Sequence, residues 1–158
     1  MAGGNTAVIS RLKAGSPEHM ICAQWRHEAF LKDDGMTVAD SYGQLEAIAT
    51  RGNDDEVALV AHVDGELAGI CLLVLNEIDP LHDVSPWLAS LYVDPPFRRQ
   101  GVATALIRAI ETQAQRIATE RLYLYTVDAE RLYKSLGWMV EDRKPSHGVM
   151  VVLMSKAL

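Results

Sequence analysis

The sequence is poor in cysteine and in long apolar runs. It has two cysteines in 158 residues, Cys22 and Cys71, with neither a CxxC pair nor histidines at metal-ligand spacing. We therefore expect two buried free thiols, no bound metal and a reducing compartment, the cytoplasm. The longest apolar run, residues 68–75, is too short to cross a bilayer, and residues 1–6 lack the basic and apolar regions of a signal peptide.

Positive charge is also scarce. Lys and Arg total 15 against 21 Asp and Glu, giving a net charge of −6. Nucleic-acid binders usually carry the opposite excess, because neutralising phosphates supplies much of their affinity. We expect no nucleic-acid or membrane partner, whereas a cationic small molecule is compatible with this charge. With 49% hydrophobic residues, the chain is long enough for one packed domain over residues 1–158.

The pattern of apolar residues predicts an alternation of strands and helices. Strands are predicted at residues 6–12, 57–63, 67–75, 87–93, 121–126, 138–142 and 149–155. Asp64-Gly65 predicts a type I′ hairpin, and the continuous apolar run that follows predicts a strand covered on both faces. The element order is β-α-α-β-β-β-α-β-α-β-β, which favours an α/β sandwich with a mixed, mostly antiparallel sheet.

Four helices are predicted from their ends and their apolar spacing. Ser16, followed by Pro17, predicts the first helix, with Trp25 on its core face. Ser41 begins a capping-box pattern for the second helix, which ends before Gly52. The apolar stripe of the third helix consists of Val102, Leu106, Ala109, Ile110, Ala114 and Ile117. A fourth, short helix is capped by Asp128 and ended by Gly137.

The loop between the strand 87–93 and the third helix has the character of an anion site. A helix N-terminus leaves backbone N–H groups unpaired, and its dipole favours negative charge. Gly101 and Ala103 are small enough for close approach, and Arg98 and Arg99 add positive charge. The loop therefore predicts a cradle for a phosphate or pyrophosphate. It lacks the Gly-Lys-Ser/Thr ending of a P-loop and the GxGxxG dinucleotide fingerprint.

Two segments resemble signatures of the GNAT (GCN5-related N-acetyltransferase) superfamily. Residues 98–103, Arg-Arg-Gln-Gly-Val-Ala, resemble its acetyl-CoA motif Gln/Arg-x-x-Gly-x-Gly/Ala. Residues 129–138 resemble its second motif, Ala-x-x-Leu-Tyr-x-x-x-Gly-Phe/Trp. The element order agrees along nearly the whole chain. The resemblance implies helices on both faces of the sheet and two splayed strands that bind acyl-CoA between them.

The resemblance also implies roles for individual residues. Acetyl-CoA would be the cosubstrate, and the residues expected to bind it are Leu91, Tyr92, Val93, Arg98, Arg99, Gln100, Gly101, Val102, Ala103 and Thr104. Leu91 and Val93 should expose backbone groups to the pantetheine. The Leu91 N–H would polarise the thioester carbonyl, and Tyr133 would protonate the departing sulfur. Packing beside the ligand is the alternative role for Tyr133.

The sequence departs from the family pattern at the position of the general base, because the strand 87–93 contains no carboxylate. Candidates in the preceding loop are Glu77, Asp79, His82 and Asp83, although for each of them a solvated loop residue is the favoured interpretation. The amine could also arrive already unprotonated. An asparagine common in the family upstream of the tyrosine is missing as well, which leaves Thr126 and Asp128 as its possible substitutes.

The function expected from the resemblance is acetyl transfer from acetyl-CoA to a primary amine of a small molecule, peptide or protein. A CoA-binding regulatory module, or an inactive relative, is the alternative from a different class. Acetylation of charged tRNA is disfavoured by the net charge of −6. Trp25 and Trp87 have a secondary interpretation as acceptor-pocket residues. The family includes many dimers, so the resemblance also allows a homodimer.

Overall fold

The computed structural model describes residues 6–158, and its seven strands form one sheet in the order β1-β2-β3-β4-β5-β7-β6. The strands are β1 (Val8–Arg11), β2 (Val57–Val63), β3 (Glu66–Val74), β4 (Trp87–Val93), β5 (Arg121–Thr126), β6 (Met139–Ser146) and β7 (Val149–Ala157). The helices are α1 (Pro17–Arg26), α2 (Val38–Arg51), α3 (Val102–Arg116) and α4 (Glu130–Ser135). The predicted element order and the mixed, mostly antiparallel sheet are confirmed. β4 and β5 are parallel neighbours, and the other adjacent strands are antiparallel.

Helices cover both faces of the sheet. One core cluster joins α3 and α4 to one face, and four of the six predicted stripe residues of α3 are buried in it: Val102, Leu106, Ile110 and Ala114. A second cluster joins α1 and α2 to the other face. Residues 68–74 of β3 are buried throughout, as expected for a strand covered on both sides.

The predicted helix caps were confirmed only in part. Ser16 occupies the N-cap position of α1, as predicted, but its hydroxyl donates to the Lys13 carbonyl and makes no capping hydrogen bond. α2 begins earlier than predicted, because Thr37 and Asp40 form the capping box while the Ser41 hydroxyl donates to a carbonyl of α1. Asp128 does not cap α4. The Thr126 hydroxyl accepts from the Ala129 N–H there instead.

The buried face of α1 differs from the prediction in part. Trp25 is half-buried and packs against the core cluster of α1 and α2, as expected, whereas Ile21, at helical spacing from it, is 39% exposed. His19 and Arg26 are buried as well, beside two small apolar residues of the helix. His19 stacks on a tyrosine of α2 and hydrogen-bonds backbone groups at both ring nitrogens, so its polar atoms are satisfied. Counting apolar residues alone misses the paired polar side chains that share this buried face.

Turn residues behave as their chemistry dictates. Asp64 and Gly65 both have positive φ (52° and 79°), as a type I′ hairpin requires. The β6–β7 hairpin turns at His147 and Gly148, also at positive φ, and β6 is longer than predicted. Both cysteines are buried and free, as expected. Within residues 6–158, no helix has the length and apolarity needed to cross a bilayer, whereas the expectation about a signal peptide falls largely on residues outside that range.

Candidate functional site

The sheet opens between its two parallel strands. β4 and β5 share a single register pair, Trp87 with Tyr123, and the Tyr123 N–H donates to the Pro86 carbonyl at 3.1 Å. Beyond that point β4 continues for six residues without pairing to β5. A gap therefore runs through the middle of the sheet, lined by unpaired main-chain groups of the kind to which an extended ligand can add as a strand.

A β-bulge lies where β4 borders this gap. Ile70 pairs with Tyr92 and Leu72 with Ala89, so that Cys71 faces both Ser90 and Leu91. Ser90 has a φ of 54°, in the left-handed region that a non-glycine residue rarely occupies. The bulge resets the alternation of the strand and leaves Leu91 without a register partner on β3 or β5. Leu91 is thus at the position where its N–H could meet a ligand.

The bulge is held from α1 by a buried arginine. Arg26 is 6% exposed, its Nε donates to the Ser90 hydroxyl at 2.9 Å, and its Nη1 donates to Gln44 Oε1 at 2.7 Å. One side chain therefore links α1 and α2 to the strained residue of β4. Strain of this kind persists where surrounding contacts fix it, and such sites cluster at functional positions.

The loop after β4 presents a run of unpaired amides. Pro95–Phe97 form one 3-10 turn, and Arg99 and Gly101 then adopt positive φ (63° and 82°) before α3 begins at Val102. Within the described chain, no hydrogen bond is made by the backbone N–H groups of residues 99–104. Consecutive free N–H groups at a helix N-terminus form an anion-binding concavity. A Cβ at Gly101 would meet open space, so the loop is not closed by its own residues.

Some side chains of this loop bond to its own backbone, and others do not. Arg98 folds back over the Tyr92 ring, and its Nε donates to the Val93 carbonyl at 2.9 Å. The Val93 carbonyl, expected to face a ligand, is thus already engaged. Gln100 also turns back, donating to the Pro96 carbonyl. Among residues 6–158, Arg99 has no side-chain partner, which leaves its guanidinium available to a bound anion.

Tyr133 lies on the α3 and α4 side of the gap. It is 4% exposed and meets the Trp138 ring edge-on, with 5.9 Å between ring centroids. Burial raises its pKa, and Cys71 and Asp128 raise it further. Its hydroxyl has no hydrogen-bond partner in the described residues, yet it is not among their fully buried unpaired atoms, so it keeps a path to solvent. Leu91 packs against the same core cluster.

A cavity of about 210 Å³ opens on the opposite face of β4. Its floor includes Leu72 and Ala89, and its walls include Arg26, Gln44 and Glu77. Burial raises the pKa of the Glu77 carboxyl, while the nearby Arg26 lowers it. Both charged groups therefore face a space large enough for a small molecule, next to the strained bulge.

The four base candidates have different surroundings. Glu77 faces the cavity, whereas Asp79 and Asp83 are exposed. The fourth, His82, bridges the Tyr125 hydroxyl and Asp142. Trp87 is 1% exposed beneath Tyr125, so the structure makes it a core residue.

The two candidates for the missing asparagine are also placed. Thr126 is buried and engaged with the Ala129 N–H, while Asp128 is exposed. Thr126 is therefore already engaged, whereas Asp128 lies near enough to Tyr133 to raise the pKa of its phenol.

Sequence reasoning missed Arg26, Ser90, Tyr125 and Asp142. Ser90 and Tyr125 look like ordinary strand residues, and nothing local marks a bulge. The His82–Asp142 contact joins residues 60 apart, which only the strand order brings together. An arginine at position 26 was the one available signal, since a charged residue among buried neighbours needs a partner.

Comparisons with known proteins agree with this geometry. A model of the acetyltransferase (GNAT) family matches residues 20–138. No curated protein matches the sequence significantly.

Solved structures share the fold. An acetyltransferase of the GNAT family from Streptococcus pneumoniae is 18% identical with a TM-score of 0.71, covering 97% of this chain and 100% of its own. The protein yncA from Salmonella typhimurium, solved with its cofactor acetyl-CoA, is 16% identical with a TM-score of 0.76, covering 97% and 94%. An aminoglycoside 6'-N-acetyltransferase complexed with coenzyme A is 15% identical with a TM-score of 0.72, covering 95% and 96%. At these identities the similarity is one of fold.

Proposed function

Because the chain belongs to the acetyltransferase (GNAT) family, we propose that it transfers the acetyl group of acetyl-CoA to a primary amine by direct attack. The observation that carries the proposal is the coincidence of two features at one end of β4. β4 and β5 separate after Trp87, and the loop that leaves β4 presents unpaired amides over residues 99–104. Solved proteins of the same fold contain acetyl-CoA or coenzyme A.

The residues at this place suit the chemical parts of acetyl-CoA. A pyrophosphate matches the free amides of the loop and the unpaired Arg99 side chain. A pantetheine arm carries amide groups that can pair with an open strand edge. The thioester would then lie near Leu91, which has no register partner on β3 or β5, and the Leu91 N–H would stabilise negative charge on the carbonyl oxygen.

The transfer forms a C–N bond and breaks the C–S bond, leaving a thiolate that takes up a proton. Tyr133 is the donor in this proposal, because its buried phenol holds its proton until a strong base appears beside it. The acceptor amine approaches through the cavity on the other face, where the Glu77 carboxylate offers an ion-pair partner for an ammonium group. The aminoglycoside acetyltransferase of similar fold makes an amine a reasonable acceptor class.

The test is release of free thiol from acetyl-CoA in the presence of polyamines, amino acids, aminoglycosides and short peptides, with the acetylated product identified by mass spectrometry. The proposal predicts turnover on at least one class, and a slower rate in Tyr133→Phe. Tight binding of acetyl-CoA with no acetylated product from any amine would instead favour a CoA-binding regulatory module.

A further inference from the structure

Three polar side chains from three separate segments meet beside the gap between β4 and β5. His82, in the loop before β4, lies with its Nδ1 2.8 Å from the Tyr125 hydroxyl and its Nε2 2.7 Å from Asp142 Oδ2. Tyr125 belongs to β5 and Asp142 to β6. The backbone N–H of Leu81 donates to the same Tyr125 oxygen at 2.9 Å. The result is a continuous chain of hydrogen bonds from a phenol to a carboxylate.

The positions of the protons in this chain follow from the donors and acceptors present. A carboxylate only accepts, so His82 Nε2 carries the proton shared with Asp142. Nδ1 of the neutral ring is then an acceptor, and the Tyr125 hydroxyl donates to it. The phenol oxygen has two lone pairs. Leu81 uses one of them, which leaves one free to accept a hydrogen bond from a ligand.

Tyr125 lies on the side of the sheet that faces the cavity. It follows Tyr123, the last residue of β5 that pairs with β4, by two positions, so both side chains lie on one face. Both pack against the core cluster of α1 and α2, which also contains the cavity-lining Ala89. An amine entering from this face toward the gap would therefore approach with Tyr125 on its β5 side.

We propose that Tyr125, His82 and Asp142 form a proton relay that takes the proton of the acceptor amine, an assignment that rests on the proposed acetyl transfer. The ammonium N–H bond breaks as its proton passes to the Tyr125 oxygen, and the phenol proton moves to His82 Nδ1. One proton is thereby transferred, the amine is left with its lone pair free, and the imidazolium is stabilised by the Asp142 carboxylate. This arrangement supplies a base to an enzyme whose strand β4 contains no carboxylate.

The charged groups around the relay fit these roles. Burial raises the pKa of Tyr125, and although hydrogen bonds from Leu81 and His82 lower it, the net shift is upward, so the phenol stays protonated in the resting state. The His82 hydrogen bond holds the pKa of Asp142 below its usual range, and Lys144 lowers it also. Asp142 therefore remains ionised and ready to stabilise a positive imidazole.

The experiment compares two nucleophiles of different basicity. A primary alkylamine, with a pKa of about 10.4, must lose a proton before it attacks, whereas hydroxylamine is already unprotonated at neutral pH. Acetyl-CoA turnover is followed as released thiol with each nucleophile, after subtraction of the uncatalysed reaction, for the wild type, Tyr125→Phe, His82→Gln and Asp142→Asn. His62→Gln is the matched control, because His62 makes a similar carboxylate contact, with Glu18, away from the gap.

We expect Tyr125→Phe to lower kcat/KM for the alkylamine by roughly 10²- to 10⁴-fold, the usual contribution of general base catalysis, and for hydroxylamine by less than about tenfold. In the same variant the alkylamine rate should rise with pH toward the pKa of the free amine, about 10.4, because only the unprotonated amine then reacts. Equal losses with both nucleophiles would reduce the cluster to a structural role, and an unchanged alkylamine rate would overturn the proposal. A larger loss in Glu77→Gln, with Tyr125→Phe unaffected, would give the base to Glu77 instead.

A second measurement does not require turnover. Nitrogen-15 NMR of the His82 ring at neutral pH should show a protonated Nε2 and an unprotonated Nδ1, since only that form can accept the phenol proton. A protonated Nδ1 in the resting protein would contradict the relay. If the wild type acetylates neither nucleophile, the proposed acetyl transfer itself fails, which separates that result from failure of the relay alone.

Discussion

Two tyrosines lie on opposite faces of the sheet, one on each side of the gap between β4 and β5. Tyr133 packs with α3 and α4 and makes no hydroxyl hydrogen bond within the described residues, while Tyr125 faces the α1 and α2 side with its hydroxyl fixed by Leu81 and His82. Burial raises the pKa of both. The two phenol groups are chemically identical, but their surroundings suit them to different tasks. An unpartnered one can give its proton to a thiolate, and one bonded to an imidazole can pass a proton on.

The largest effect is expected from removing the hydroxyl group of Tyr133. Tyr133→Phe removes the proton donor and keeps the ring that packs on Trp138. We expect kcat to fall roughly 10²- to 10⁴-fold with little change in the Kd of acetyl-CoA, because the phenol acts on the departing sulfur and not on binding. Unlike Tyr125→Phe, this variant should be impaired equally with alkylamine and hydroxylamine. Equal rates for wild type and variant would make Tyr133 a packing residue.

A negative charge introduced at the anion site should weaken acetyl-CoA binding without touching the reacting groups. Ala103→Asp places a carboxylate in the first turn of α3, where it favours the helix but repels a pyrophosphate. We expect the Kd of acetyl-CoA to rise roughly 10- to 100-fold through charge repulsion, while the unfolding temperature is kept or raised. Ala103→Asn, similar in size and uncharged, is the control in the same calorimetric titration. A rise of the same size in Ala103→Asn would point to a steric cause.

The close pairing of β3 with β4 can be tested by replacing a glycine of β3. A Cβ built on Gly69 would lie 2.7 Å from the Tyr92 carbonyl oxygen, on the strand that carries the bulge. Gly69→Ala should therefore lower the free energy of unfolding by roughly 1–3 kcal/mol, because backbone atoms must move. Gly43→Ala is the matched control, since a Cβ there meets nothing and α2 should gain about 0.5–1 kcal/mol. Urea unfolding of both variants measures the difference, and equal stabilities would mean that β3 and β4 can separate freely.

The smallest effect on stability is expected from the ion pairs of Glu130, which lies on the helix that carries Tyr133. Glu130 of α4 accepts hydrogen bonds from Arg143 and Lys134, which lower its pKa to about 2. A depressed acid pKa stabilises the fold above the unfolded value and loses that effect as pH falls toward the folded value. The pair is exposed, so Glu130→Gln should hardly change the unfolding temperature at pH 7 and should flatten its decline below about pH 4.5. A large loss at pH 7 would show that these ion pairs stabilise the fold more than exposed pairs usually do.

Local signals accounted for much of the fold. The bounds of β4 and β5 were predicted correctly, because Asp94-Pro95-Pro96 ends the first and apolar alternation marks the second. The anion site in the loop before α3 could be predicted because its glycine, its arginines and the amphipathic helix that follows are adjacent in sequence. Caps were less predictable, since Ser41 and Asp128 could each cap a helix, yet Thr37 and Thr126 make the hydrogen bonds at those helix starts.

The other half of the site depends on contacts between distant segments. Arg26 reaches Ser90 across 64 residues, and His82 reaches Asp142 across 60. No spacing rule links such pairs. The packing of α1 on the sheet brings Arg26 to Ser90, and the order of β5, β7 and β6 brings Asp142 to His82. The family pattern supplied a tyrosine for one side of the gap, and only the folded chain shows the tyrosine on the other.

Backbone NMR during titration with acetyl-CoA tests the central claim most directly, because it reports where the cosubstrate binds without requiring an acceptor. The largest amide shifts should fall on Leu91 and on residues 99–104, with β1 and β2 almost unchanged. If the largest shifts instead appear away from β4, β5 and the loop before α3, the gap is not the acetyl-CoA site and the account is wrong.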